Sequence, residues 1–294
     1  LGRRALGALG SDSNLVSQFE ISDEEYSQIN YQDQPVRVSP LKYASVIKWF
    51  TNMREGIPAY IKIDMATQNT ELVKLSEGMK YTTSDHFNRN IYRHLRFNYP
   101  TYIFNDLSFE IDEDGVPYWI CPVKKYNIGL FGGTTIGRVV LCNAITGETK
   151  DYAVEDVPQW VDRVYSADLL VELYNYHGTL KHGFFNSVLG QKDCLNTTDG
   201  YNYLAIDDDV WVYTGVTSIT GDQSNVGFVL MNQRTMETKF YEIEGATESS
   251  AMSSAEGQVQ NLHYTATFPL LLNISGEPTY FIALKDDAGL VKKY

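Results

Sequence analysis

The side chains able to do chemistry are few, and their spacing suits little of it. The histidines are His86, His94, His177, His182 and His263, and none belongs to an H-E-x-x-H motif or makes a ligand-like pair with cysteine. On a helix, His86 and His94 would stand two turns apart, too far to share one ion readily. His177 and His182 are closer, in the glycine-bearing stretch His177-Gly-Thr-Leu-Lys-His-Gly-Phe-Phe185. Carboxylates cluster in Asp112-Glu-Asp-Gly115, Asp207-Asp-Asp209 and Asp286-Asp287, a composition that hard cations favour. They lack the EF-hand plan and its closing Glu, and the matching stretch Ile274-Ser-Gly-Glu277 is not acidic. The clusters therefore read as solvated hairpin turns. No G-x-S-x-G elbow surrounds a serine, and Cys194 has no local nucleophile signature. The glycines of Gly129-Leu-Phe-Gly-Gly-Thr-Thr-Ile-Gly137 have neither phosphate-loop nor dinucleotide spacing, and they precede a strand-like run. The expectation is no catalytic residue, no metal and no cofactor.

Composition narrows the partners. The formal charge of −13 over 294 residues repels nucleic-acid phosphates and anionic lipid, and no Lys/Arg block offsets it locally. Nucleic acid is excluded as a partner on that ground. Twenty-one tyrosines suit sheet faces and recognition surfaces alike. Cys121, Cys142 and Cys194 form an odd set without C-x-x-C spacing, so no disulfide framework is indicated. No run of about 18 apolar residues is present, and no signal peptide. The start, Leu1-Gly-Arg-Arg-Ala-Leu-Gly-Ala-Leu-Gly10, lacks Met and reads as a cut; its basic pair beside small apolar residues fits the remnant of a juxtamembrane segment and a processed terminus equally, and any membrane contact is expected through a segment absent from this chain.

Self-similarity organises what must position these residues. Ile61-Lys-Ile-Asp-Met-Ala-Thr-Gln-Asn-Thr-Glu-Leu-Val73, Val140-Leu-Cys-Asn-Ala-Ile-Thr-Gly-Glu-Thr-Lys-Asp-Tyr152 and Val229-Leu-Met-Asn-Gln-Arg-Thr-Met-Glu-Thr-Lys-Phe-Tyr241 align without gaps. Asp64, Asn143 and Asn232 share one column; Thr67, Thr146 and Thr235 share another. Each stretch is an apolar run, a polar turn in which the Asx side chain can bond amides two residues on, and a second run, which predicts a β-hairpin. One unit is roughly 80 to 90 residues, domain-sized rather than solenoid-sized. Helices are expected over 39–50 with Pro40 at its first position, 84–96 capped by Ser84, 166–174 opened by Ser166, and 254–262. A further hairpin follows each of the last three, at 107–120, 203–213 and 271–282, and 283–294 begins one more Asx-turn hairpin with one turn residue fewer. Trp119 and Trp211 fall at one place in their hairpins, with Tyr280 nearby, as repeated core positions would. Trp160 lies between two repeat elements.

The order helix, hairpin, Asx-turn hairpin resembles the PepSY-type unit, most clearly at Val139-Val-Leu-Cys-Asn-Ala-Ile-Thr-Gly-Glu-Thr-Lys150. The chain also resembles the soluble part of an uncharacterised membrane-anchored protein family of Gram-positive bacteria, through Gly2–Gly10 and Tyr126-Asn-Ile-Gly-Leu130. The resemblance implies an α+β fold of about three tandem units of a helix packed on antiparallel β-hairpins. Residues 1–38 would be an N-terminal segment, 39–80 a partial unit, 81–156 and 157–245 two further units, and 246–294 a final one that stops inside or just after its last strand. It also implies extracytoplasmic placement at the cell envelope, and a non-enzymatic binding or scaffold role with a protein or peptide partner. Alternatives are a PepSY-type peptidase inhibitor or regulator, and a hydrolase with its site near 174–201. That stretch has no counterpart of equal length in the unit that follows, which makes it the first choice for a functional insertion. Its candidate binding residues are Tyr174, Tyr176, His177, His182 and Tyr201.

Overall fold

Turn chemistry closes the hairpins. In the computed structural model, which describes residues 13–22, 24–127, 133–219, 224–275 and 277–294, Asp64 Oδ1 accepts from the amides of Ala66 and Thr67 at 2.8 Å each. Asn143 Oδ1 accepts from Ile145 and Thr146 at 2.9 and 3.0 Å, and Asn232 Oδ1 from Arg234 and Thr235 at 2.8 and 2.9 Å. The hydroxyls of Thr67, Thr146 and Thr235 then accept from Asn69, Glu148 and Glu237. Between them Gln68, Gly147 and Met236 take left-handed backbone, with φ of 61°, 76° and 64°. Only glycine does so without a Cβ penalty, so at the other two positions the Asx and Thr bonds hold the turn. Asp112 and Asp286 close a shorter turn. Asp112 Oδ1 accepts from Asp114 and Val116, and Asp286 Oδ1 from Ala288 and Leu290.

The chain forms two units. One runs to Ser166 and includes Ala205–Val210; the other comprises Ala167–Leu204 and Trp211–Tyr294. In the first, α1 (Ser13–Gln18) precedes a sheet of β1 (Phe19–Ile21), β2 (Ser27–Tyr31), β3 (Gln34–Tyr43), β4 (Ile57–Asp64) and β5 (Thr70–Met79). Its order is β1-β3-β4-β5, with β2 also on β3 and every pair antiparallel. A second sheet holds β6 (Ser108–Ile111), β7 (Pro117–Asn127), β8 (Gly133–Asn143) and β9 (Thr149–Ala153) in sequence order. Helices α2 (Val46–Asn52) and α3 (Ile91–Asn98) accompany them. Val38, Ile57, Ile61, Ile91, Leu95, Phe109 and Trp119 share one buried core. Trp119 belongs there because its indole N–H donates to Tyr81 O at 2.9 Å.

The second unit opens with α4 (Ala167–Thr179). A sheet ordered β10-β12-β13-β14 follows, with β11 on β12: β10 (Leu195–Thr197), β11 (Asn202–Ile206), β12 (Asp209–Ser218), β13 (Ser224–Asn232) and β14 (Thr238–Ala246). Then come α5 (Glu248–Gln258), β15 (Thr265–Ala266), the pair β16 (Leu270–Ile274) and β17 (Glu277–Phe281), and β18 (Leu284–Lys285) with β19 (Val291–Lys293). The class is α+β with mostly antiparallel sheets and few helices. Among the described residues no helix is long and apolar enough to cross a membrane.

The hairpins stand where alternation puts them; the helices shift. Residues 39–50 are not one helix. Val36, Val38, Leu41 and Tyr43 are buried in β3, Pro40 lies in that strand opposite Tyr60, and Ser45 caps the shorter α2. The boundary expected at residue 39 thus falls inside a strand, and β1 and β2 belong with β4 and β5 rather than to a separate segment. Asn90, not Ser84, caps α3, because Ser84 Oγ accepts from the Tyr43 amide instead. Thr247 starts α5 before the expected 254. The helix expected to end at Tyr174 continues to Thr179, so the first residues of the 174–201 insertion are helical. Leu1–Gly10 and residues 128–132, with part of the glycine cluster, lie outside the described residues.

Candidate functional site

Helix α4 sets the geometry of one concavity of the second unit. Its apolar positions Ala167, Leu169 and Leu170 are buried, and Gly178 lets the helix approach β10 so closely that a Cβ there would meet Leu195 O at 2.3 Å. One flank of the helix stays partly uncovered, where Leu173, Tyr174 and His177, with Lys181 just past the helix end, form one wall of a groove whose lining also includes the buried Leu170. Met236, Thr238 and Phe240 form the other, from the turn and first residues of β14. The groove is open to solvent on one side and has a volume of about 460 Å³. Alternation along the strand turns 236, 238 and 240 to one face, and Asn232 fixes the turn from which Met236 projects.

The groove is apolar along its length, with a cation, Lys181, at the helix C-terminal end. Its lining holds one histidine and no carboxylate, serine or cysteine. Strand β14 is the last in its sheet order, paired with β13 alone among the described residues, and nearly all of it is exposed. Its outer edge therefore offers alternate backbone N–H and C=O groups beside the groove.

Of the five candidate residues, the fold brings Tyr174 and His177 together, three apart on one helix face. Burial raises the Tyr174 hydroxyl pKa above its ordinary value. Tyr176 is exposed elsewhere on the helix, donating from its hydroxyl to Glu172 Oε1 at 3.0 Å. His182 leaves the groove and meets Asp193, with Nε2 to Oδ2 3.1 Å, as an exposed pair. Tyr201 packs edge-on against Tyr203 at 5.7 Å. Cys194 is buried, its thiol donating to Thr179 O. Sequence reasoning missed Leu170, Leu173, Lys181, Met236 and Phe240. The one available signal was Met236 and Phe240, large apolar side chains in a hairpin whose aligned positions elsewhere are Gln68 and Gly147, Leu72 and Asp151.

The first unit holds a buried carboxylate pair. Glu110 accepts from the amides of Asp162 at 2.9 Å and Arg163 at 3.0 Å. Asp162 Oδ2 accepts from the Asn30 amide at 2.6 Å, and the Asn30 side chain donates to Asp208 Oδ1 at 2.9 Å. Burial pushes both carboxyl pKa values up, and for Asp162 the neighbouring Glu110 charge adds to it. Asp162 Oδ1 and Asn30 Oδ1 have no hydrogen-bond partner among the described residues. This network ties residues 159–163 to β2 and β6. Among the described residues no three His, Cys, Asp or Glu side chains converge to hold a metal ion. No family model matches the chain, and no curated protein matches it.

Proposed function

We propose that this chain is a non-enzymatic, extracytoplasmic binding protein built of PepSY-like tandem units, and that its second unit takes an extended peptide segment into the groove between α4 and β14. The groove carries the reading. It is apolar enough to bury alternate side chains of a peptide, it runs beside an unpaired strand edge, and it ends at a lysine. A peptide lying along β14 would gain main-chain hydrogen bonds from the edge and specificity from the groove. Lys181 favours an acidic side chain or a terminal carboxylate at that end.

Recurring strand order supports tandem units, and supports four of them. A short strand pairs with the far part of a longer one in Phe19–Tyr43 and Leu195–Ser218, the single bridge Phe104–Val123 takes that place in the second sheet, and after the β16–β17 hairpin the two-residue β15 pairs with the equally short β18. A helix precedes each: α1, α3, α4 and α5. Helix α2 is then an insertion in the first unit. Envelope placement rests on the family resemblance alone.

Panning a library of displayed linear peptides on the chain tests the binding reading. The expected outcome is enrichment of peptides with apolar residues at alternate positions and an acidic residue at one end, and loss of their binding in Leu173→Asp. Failure to enrich any peptide, or equal binding by Leu173→Asp, contradicts it.

A further inference from the structure

We propose that the loop between Lys181 and Lys192 docks this chain on an anionic phospholipid surface. The loop presents four large apolar side chains, Phe184, Phe185, Val188 and Leu189, and the exposure of Phe185 (78%) and Leu189 (82%) is extreme for such residues. They are held out by a built loop. The Asn186 side chain sits at its base, donating to the carbonyls of Lys181 and Lys192 at 2.9 Å each and accepting from the Lys192 amide at 3.1 Å. That clasp brings the two ends of the loop together, so a lysine backbone stands on each side of the base with the apolar residues between them. Ser187 Oγ donates to Phe184 O at 2.7 Å and stiffens the tip.

Charge decides the occupant. The chain has 37 acidic residues, yet residues 173–192 contain none while they hold Lys181 and Lys192, and the flanking Asp193 is taken up by His182 at 3.1 Å. An apolar tip over a cationic base matches the layering of a lipid interface, with acyl chains beneath and anionic headgroups above. A second copy of this chain would bring the acidic remainder of its surface instead of an anionic plane over an apolar one. The net charge of −13 opposes approach to such a surface at long range, so binding is expected to depend on the tip. Lys181 is common to the loop base and the groove, but no apolar residue is, so substitutions of the apolar residues separate the two effects.

Co-sedimentation of the full chain with phosphatidylcholine vesicles, with and without phosphatidylglycerol, tests this. Binding is expected to the phosphatidylglycerol vesicles, weaker binding to phosphatidylcholine alone, and a weakening of about tenfold in Phe185→Ser or Leu189→Ser, the scale of one lost apolar insertion. Lys192→Gln is expected to remove part of the phosphatidylglycerol advantage only, and Leu173→Asp to leave vesicle binding intact. An environment-sensitive fluorophore on Val188→Cys gives a second reading, a blue shift on vesicle addition, that keeps Phe185, Leu189, the Ser187 bond and the Asn186 clasp in place. No sedimentation with either vesicle, no blue shift, or unchanged binding in both tip variants overturns the proposal. So does self-association in sedimentation velocity that the tip variants abolish without vesicle binding by the parent chain, which would assign the tip to a second copy.

Discussion

Asp162 is a buried carboxyl with one oxygen on the Asn30 amide and the other without a hydrogen-bond partner among the described residues. Glu110, Asp208 and Asp209 all lie near enough to disfavour its charge, and Arg163 favours that of Glu110. A protonated Asp162 resolves part of this. The folded state then keeps a proton that the unfolded chain releases once pH passes the ordinary carboxylate range, so stability falls as pH rises above that range. In Asp162→Asn the carboxamide oxygen can keep the Asn30 bond while the charge is gone. Urea unfolding across pH is expected to show a flatter profile for this variant and, at neutral pH, stability at or above that of the parent, by roughly 1–3 kcal/mol. A clear loss of stability in Asp162→Asn at neutral pH would mean that the charged form is the one the fold uses. Nothing in the sequence marked this pair, because Glu110 and Asp162 are 52 residues apart and meet only once β6 and the 159–163 segment pack.

At the scale of elements, the hairpins were legible because their determinants are local. Asp64, Asn143 and Asn232 sit two residues from the amides they bind, and alternation on either side needs no distant partner. Helix limits were less legible. Ser39-Pro40 reads as a helix start, but β3 buries both residues between neighbouring strands, and tertiary pairing overrides the local signal. Ser84 is likewise taken up by the Tyr43 amide. The α4 to β10 contact shows what a helix in the sheet's company requires: Gly178 leaves no room for a methyl against Leu195 O. Gly178→Ala is therefore expected to destabilise the second unit by about 1–3 kcal/mol despite alanine's better helix propensity. Thermal or urea melts decide it, and a neutral or stabilising result would show that the helix can move away from β10 at little cost.

The candidate site belongs to the scale of the whole second unit. Tyr174 and His177 could be named from sequence because they lie in one stretch, but Met236 and Phe240 reach them from a hairpin about 60 residues on. Tyr176, His182 and Tyr201 share the stretch and not the groove, since the helix turns Tyr176 elsewhere and the chain leaves the groove after Lys181. What unites the site is therefore the juxtaposition of a partly uncovered helix flank with a free strand edge. Its polarity is set by one charge. The most direct test is a charge exchange between Lys181 and a peptide recovered by panning, followed by calorimetry. Lys181→Glu is expected to weaken an acidic-ended peptide about tenfold or more, and the same peptide carrying Lys in place of its acid is expected to recover binding to the variant. If Lys181→Glu binds both peptides as the parent chain does, the groove between α4 and β14 is not the peptide site.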